Sequence, residues 1–208
     1  MNFNRKIGIM GGTFDPIHYG HLMLAEQIRT SFELDQILFI PAGNPPHKSA
    51  NHKAVKMHRY MMTLLATASN LNFTVSDIEI KRDDVTYTID TIKALKEKMS
   101  PEDELYFITG ADAIILLDTW KNYRELVKYV KFIGATRPGI DEVLLAEKIG
   151  ELSNDLGAHI ELCSVPALAI SSTDIRLRVG EGKSIKYLLP ETVEHYIYKE
   201  GLYKNTDG

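Results

Sequence analysis

The chain reads as an α/β protein built on one doubly wound parallel sheet with helices on both faces. Three observations predict this. Short apolar runs alternate with segments of helical apolar spacing, and a glycine pair ends the first run. Hydrophobic residues make up 44% of the chain and charged residues 25%, the balance of a globular protein. At 208 residues the expected organisation is a single domain over 1–208, closing in a small helical segment from about residue 170 onward.

The elements follow in order. Residues 7–10 form an apolar run stopped by Gly11 and Gly12, a buried strand ending in a tight turn. From 20 to 32, Leu22, Ala25, Ile28 and Phe32 recur at helical spacing and Leu24 widens the stripe, completing a strand–helix unit. Residues 37–40 form a second strand, closed by Pro41 and a loop over 42–49 holding prolines, a glycine and an asparagine. A helix over 55–68 comes next. Strands are expected over 73–80, 105–109, 132–136 and 160–165, and helices over 89–98, 123–130 and 142–156. Such alternation implies parallel strands joined by right-handed crossovers. Residues 170–179 and 190–198 read as consecutive short helices packed at one end of the sheet.

Charge and composition exclude several function classes. A formal net charge of −4 argues against a duplex-binding surface, whose affinity comes from Lys and Arg on phosphates, so no nucleic acid partner is expected. Cys163 is the only cysteine, so an internal disulfide and a thiolate metal cluster are both excluded. That fits a reducing compartment, and the expected localisation is cytoplasmic. The apolar run after the polar residues 1–6 is too short for a signal segment. No uncharged apolar stretch approaches the ~18 to 20 residues that span a bilayer, so no membrane association is expected.

The junction after the first strand reads Gly11-Gly12-Thr13-Phe14-Asp15-Pro16-Ile17-His18-Tyr19-Gly20-His21. Paired glycines let the backbone approach a phosphate that a Cβ would strike. Amides at the start of the next helix, at its positive dipole end, make an anion site. His18 and His21 are three apart, so both rings can face the crevice beyond the strand ends, where Rossmann-like sheets place ligands. An imidazole donating a hydrogen bond there can stabilise charge building on a phosphoryl oxygen. Zinc is an alternative use for two histidines, but such sites usually need three or four ligands and no third stands out.

This junction resembles the GxFxPxHxGH signature of the nucleotidyltransferase superfamily, whose HxGH portion binds and activates a triphosphate. Near the other end, Ile170-Ser171-Ser172-Thr173-Asp174-Ile175-Arg176 sets hydroxyl residues before a helix carrying an arginine. Ser and Thr cap helix starts, and a guanidinium there can bind pyrophosphate oxygens in pairs. The segment resembles the superfamily's ISSTxIR element, which grips the β and γ phosphates. The resemblance implies ATP binding by Gly11, Gly12, Thr13, Phe14, His18, His21, Ser171, Ser172, Thr173 and Arg176, with His18, His21 and Arg176 catalytic. Lys98-Met99-Ser100 resembles the opening of the KMSKS loop of tRNA synthetases, but Pro101-Glu102 follows and the segment reads as a helix terminator.

The middle of the chain bears on the second substrate. Gly110-Ala111-Asp112 directly follows an expected strand, and Leu117-Asp118-Thr119-Trp120-Lys121-Asn122-Tyr123 brings the only tryptophan. An indole face can stack on a heteroaromatic ring and attracts a cationic pyridinium. The order of these segments, with Thr86-Tyr87-Thr88, Pro45-Pro46-His47-Lys48 and Arg137-Pro138-Gly139, is similar to the bacterial nicotinate mononucleotide adenylyltransferases. That likeness implies mononucleotide binding by Asp15, Lys48, Thr86, Tyr87, Gly110, Asp112, Trp120 and Arg137. It is also all that separates an acid from an amide on the pyridine.

The implied reaction moves AMP from ATP to nicotinate mononucleotide, a step of NAD biosynthesis, with Mg2+ carried by ATP and no metal held by protein ligands alone. ATP and nicotinate mononucleotide are the expected partners, and a homo-oligomer is left open. The alternative is another small HxGH transferase acting on nicotinamide mononucleotide, phosphopantetheine or a cytidylyl acceptor. A dehydrogenase fits less well, because the first turn reads Gly8-Ile9-Met10-Gly11-Gly12 and lacks the spacing G-x-G-x-x-G.

Overall fold

The structure, a computed structural model, describes residues 4–45, 54–137, 139–166 and 168–204. Its strands are β1 (Lys6–Gly12), β2 (Gln36–Pro41), β3 (Phe73–Val75), β4 (Glu104–Gly110), β5 (Lys131–Thr136) and β6 (Ile160–Ser164). Its helices are α1 (Tyr19–Ser31), α2 (Lys56–Thr67), α3 (Thr88–Lys96), α4 (Ala111–Ile115), α5 (Tyr123–Leu126), α6 (Glu142–Leu156), α7 (Ser172–Gly180) and α8 (Glu191–Lys199), with a 3-10 turn at Leu117–Thr119. All strand pairs are parallel and the order is β3-β2-β1-β4-β5-β6, the expected α/β class.

Side chains alternate across each strand, so the central strands feed two cores. Ile7, Ile9, Leu105, Phe107 and Phe132 join Ile89 and Ile92 of α3, Leu126 of α5 and Leu152 of α6. Met10, Phe39, Tyr106, Ile108 and Ile133 face the other way, toward Ile28 of α1, Met62 of α2, Ile175 of α7 and Val193 of α8. The two C-terminal helices add Ile175 and Val193 to that core, with α8 packed on α2 and the start of α7 against the turn that follows β1.

Three differences from the expected elements have local causes. The strand expected over 73–80 stops at Val75, because β3 is an edge with one neighbour. After Ser76 donates its N–H to the Phe39 carbonyl the chain turns, with the Lys81 N–H on the Asp77 carbonyl. The helix expected over 123–130 lasts one turn, and Leu126, Val127 and Val130 are buried without extending it. The short helix α4, sitting directly on the end of β4, has too few residues to show a helical period. No helix among the described residues is long and apolar enough to cross a membrane.

Candidate active site

Strand order reverses between β1 and β4, so the chain leaves their carboxyl ends toward opposite faces and opens a crevice between them. Gly11 and Gly12 end β1, Gly110 ends β4, and Arg137 follows β5. A Cβ on Gly12 would meet the Phe14 ring at 2.7 Å, so the fold itself requires that glycine. At Gly11 the nearest atom would be Phe107 Cζ at 3.6 Å, an ordinary contact, and the residue is exposed. Packing thus explains one glycine of the pair and not the other.

Phe14 takes a positive φ of 49° and buries its ring edge-on to His21, with centroids 5.2 Å apart. His18 is the N-cap of α1, and its backbone N–H donates to His21 Nδ1 at 3.3 Å. With Nδ1 accepting, a neutral His21 ring carries its proton on Nε2. The two rings lie 3.8 Å apart at 33°. A Cβ on Gly20 would sit 3.0 Å from His18 Nδ1 and Cε1, so this packing leaves little room for a side chain between the histidines.

His18 is 6% exposed, and its Nδ1 has no hydrogen-bond partner among the described residues. Burial pushes its pKa down to about 4. An exposed imidazole titrates near ~6.5, so as pH falls the unfolded chain takes up this proton first. The stabilisation is therefore fully present above about pH 6.5 and is lost as pH falls from there toward the folded value, amounting to roughly 3 kcal/mol in all. We expect His18→Gln to flatten the dependence of the thermal midpoint on pH across that window. A variant as pH-sensitive as the parent would show that His18 is not held neutral by its surroundings.

The hydroxyl turn meets the histidine turn directly. Ser171 caps α7, accepting the Asp174 N–H at 3.1 Å. Ser172 Oγ donates to the Pro16 carbonyl at 2.8 Å, and Arg176 Nη1 donates to the Asp15 carbonyl at 2.7 Å. Arg176 Nη2 also reaches Thr173 Oγ1 at 3.3 Å. The Asp15 carboxylate is buried: its Oδ1 accepts from Tyr203 at 2.7 Å and from the Ala54 N–H at 3.2 Å, while Oδ2 has no partner among the described residues. Asp15, expected from the resemblance to touch a mononucleotide, thus has one oxygen engaged within the protein.

A second group gathers beside β4. Thr86 is buried, its N–H donates to the Asn44 carbonyl at 3.1 Å, and its Oγ1 lacks a partner among the described residues. Tyr87 caps α3 and lies under Lys121 Nζ, 4.0 Å from the ring centroid. The adjoining Trp120 is half-buried, edge-on to Phe107 with centroids 5.7 Å apart at 83°. Asp112 and Arg137 approach to 3.9 Å from the ends of β4 and β5, both largely exposed. Lys48 lies outside the described residues. Among those described, no group of three or more His, Cys, Asp or Glu side chains could hold a metal ion.

Sequence reasoning missed three residues of this region. Arg59 is 4% exposed and donates to the carbonyls of Thr13 at 2.8 Å, Gly43 at 3.1 Å and Ala54 at 3.3 Å. Glu79 accepts from the Gly43 N–H at 3.2 Å and from Thr91 Oγ1 at 2.8 Å. Tyr203 is the third. A signal existed only for Arg59, which shares the buried stripe of α2 with Met62, Thr63 and Ala66, a place where a cation is unusual.

A parallel sheet with a glycine turn and paired histidines at its switch point is the layout of the α/β nucleotidyltransferases, and residues 9–178 match the family model described as cytidylyltransferase-like. The chain belongs to that family and, within it, to the nicotinate-nucleotide adenylyltransferases. A Thermoanaerobacter protein named as a probable nicotinate-nucleotide adenylyltransferase is 54% identical over 97% of this chain and 96% of its own length. One of the same name from Moorella thermoacetica is 53% identical over 96% of this chain and 92% of its own. The solved Plasmodium falciparum nicotinic acid mononucleotide adenylyltransferase, complexed with NaAD, superposes with a TM-score of 0.77 at 27% identity, covering 96% of this chain and 97% of that one.

Proposed function

We propose that this chain transfers the adenylyl group of ATP to nicotinate mononucleotide, giving nicotinate adenine dinucleotide and pyrophosphate in NAD biosynthesis. The observation that carries the mechanism is the direct contact of the two anion-binding turns, Ser172 on Pro16 and Arg176 on Asp15. It supports assigning both turns to one triphosphate.

The mononucleotide phosphate attacks the α phosphorus of ATP. The bond from that phosphorus to the β-phosphate oxygen breaks, and pyrophosphate leaves with the electron pair. A phosphate monoester has its second pKa near ~6 and is mostly dianionic at neutral pH, so no protein base is needed. Alignment and charge stabilisation remain, and positioning alone can lower a barrier by ~7 to 11 kcal/mol.

The buried, neutral His18 and the adjacent His21 supply hydrogen-bond donors to the triphosphate. The exposed Gly11, with the backbone of Gly12, Thr13 and Phe14, lets the phosphates approach the end of β1. Arg176 commits two guanidinium donors to Asp15 and Thr173, leaving others for the departing pyrophosphate beside Ser171, Ser172 and Thr173. No described group of side chains would hold magnesium by itself, so a magnesium ion carried by ATP would supply charge neutralisation there.

Trp120 offers its exposed face to the pyridine ring, with Asp15, Thr86, Tyr87, Gly110, Asp112 and Arg137 assigned to the mononucleotide and Lys48 to its phosphate. A reducing, cytoplasmic setting suits the buried thiol of Cys163. Pyrophosphate release measured with nicotinate mononucleotide, nicotinamide mononucleotide and phosphopantetheine tests the substrate. Nicotinate mononucleotide should be used best, and preference for either other acceptor would overturn the reading. Trp120→Ala should raise the KM for the mononucleotide by about five- to thirtyfold, the worth of a cation–π stack, with the KM for ATP unchanged. An unaltered mononucleotide KM would place the pyridine elsewhere.

A further inference from the structure

The C-terminal end of the described chain returns beneath the first turn. Gly201, with φ 62°, ends α8: its N–H donates to the Tyr198 carbonyl at 3.3 Å, and the Leu202 N–H donates to the Ile197 carbonyl at 3.0 Å. This pair of bonds is the Schellman arrangement. It packs both Leu202 and Tyr203 against the core that holds Ile197 and Met62. The Tyr203 hydroxyl then donates to Asp15 Oδ1 at 2.7 Å and lies 4.0 Å from Met62 Sδ. Burial first, and the Asp15 charge next, push the Tyr203 phenol far above its ordinary range, so it stays a donor.

Asp15 joins this anchor to the phosphate-binding groups. Its carboxylate is held by Tyr203 and the Ala54 N–H, and its carbonyl holds Arg176. The carbonyl of the next residue, Pro16, holds Ser172. Tyr203 also keeps a positive φ of 63°, a region that aromatic side chains rarely adopt.

We propose that Tyr203 is a positioning residue for adenylyl transfer: through Asp15 it fixes the carbonyl that aims Arg176, and so the alignment of the hydroxyl turn with the histidine turn. This inference rests on the proposed reaction, because it assigns Tyr203 a part in that reaction's alignment.

The test is Tyr203→Phe, which keeps the ring and its packing and removes one hydrogen bond to a charged group. Assayed well below its thermal midpoint with both substrates saturating, the variant should lose about tenfold or more in kcat, while both KM values stay within about twofold. A purely structural role would leave kcat unchanged there, because nearly all molecules remain folded. Asp15→Asn combined with Tyr203→Phe should be no slower than the slower single variant, since both changes break one linkage. Parental kcat in Tyr203→Phe, or effects that multiply in the double variant, would overturn the positioning role and leave the reaction standing. A parent chain that makes no dinucleotide would overturn the reaction itself, and the role of Tyr203 in it.

Discussion

Replacing His18 or His21 by alanine should lower kcat by about a hundred- to a thousandfold each, the usual loss when one preorganised donor to a developing oxyanion is removed. The measurement is pyrophosphate release at saturating ATP and nicotinate mononucleotide, with circular dichroism to establish that each variant is folded. His21 is expected to show the effect most directly, because its Nδ1 is occupied by the His18 N–H and its proton is thereby placed on Nε2. His18 has a buried Nδ1 without a partner among the described residues, a polar group that substrate could satisfy. Folded variants turning over at the parental rate would remove the histidines from the mechanism.

Arg59→Met should destabilise the protein by about 3 to 5 kcal/mol, the usual cost of removing one partner from a buried charge cluster. For a chain of this size that lowers the thermal midpoint by roughly 10 °C. The guanidinium ties three separate backbone segments together through the carbonyls of Thr13, Gly43 and Ala54. Burial pushes its pKa down, and the Asp15 and Glu79 charges oppose that shift. Arg59→Lys should recover only part of the loss, since one ammonium cannot reproduce the planar fork. A midpoint unchanged in Arg59→Met would show that these loops are held by other contacts.

Much of the architecture was legible because its signals are local and periodic. The runs at 7–10 and 105–109 and the stripe through Leu22, Ala25 and Ile28 sit in the structure as β1, β4 and α1, within a residue or two at most ends. Where the reading failed, the deciding partner was distant. Ile78 and Ile80 look like a continued strand, yet β3 has one neighbour and the Glu79 carboxylate is drawn to Gly43 and Thr91. Tyr203 carries no motif, and only the turn at Gly201 and the position of Asp15 give it a place.

By itself the order of residues determined which groups exist to handle phosphate, a glycine turn with paired histidines and a hydroxyl turn with Arg176, because such groups must sit at short fixed spacings on a strand end or a helix start. Tertiary structure alone decided that these turns touch, that His18 is neutral and that Arg59 and Tyr203 brace the crevice. Those properties depend on burial and on partners brought from elsewhere in the chain, as far as 188 residues for Tyr203 and Asp15, and no local pattern names those partners.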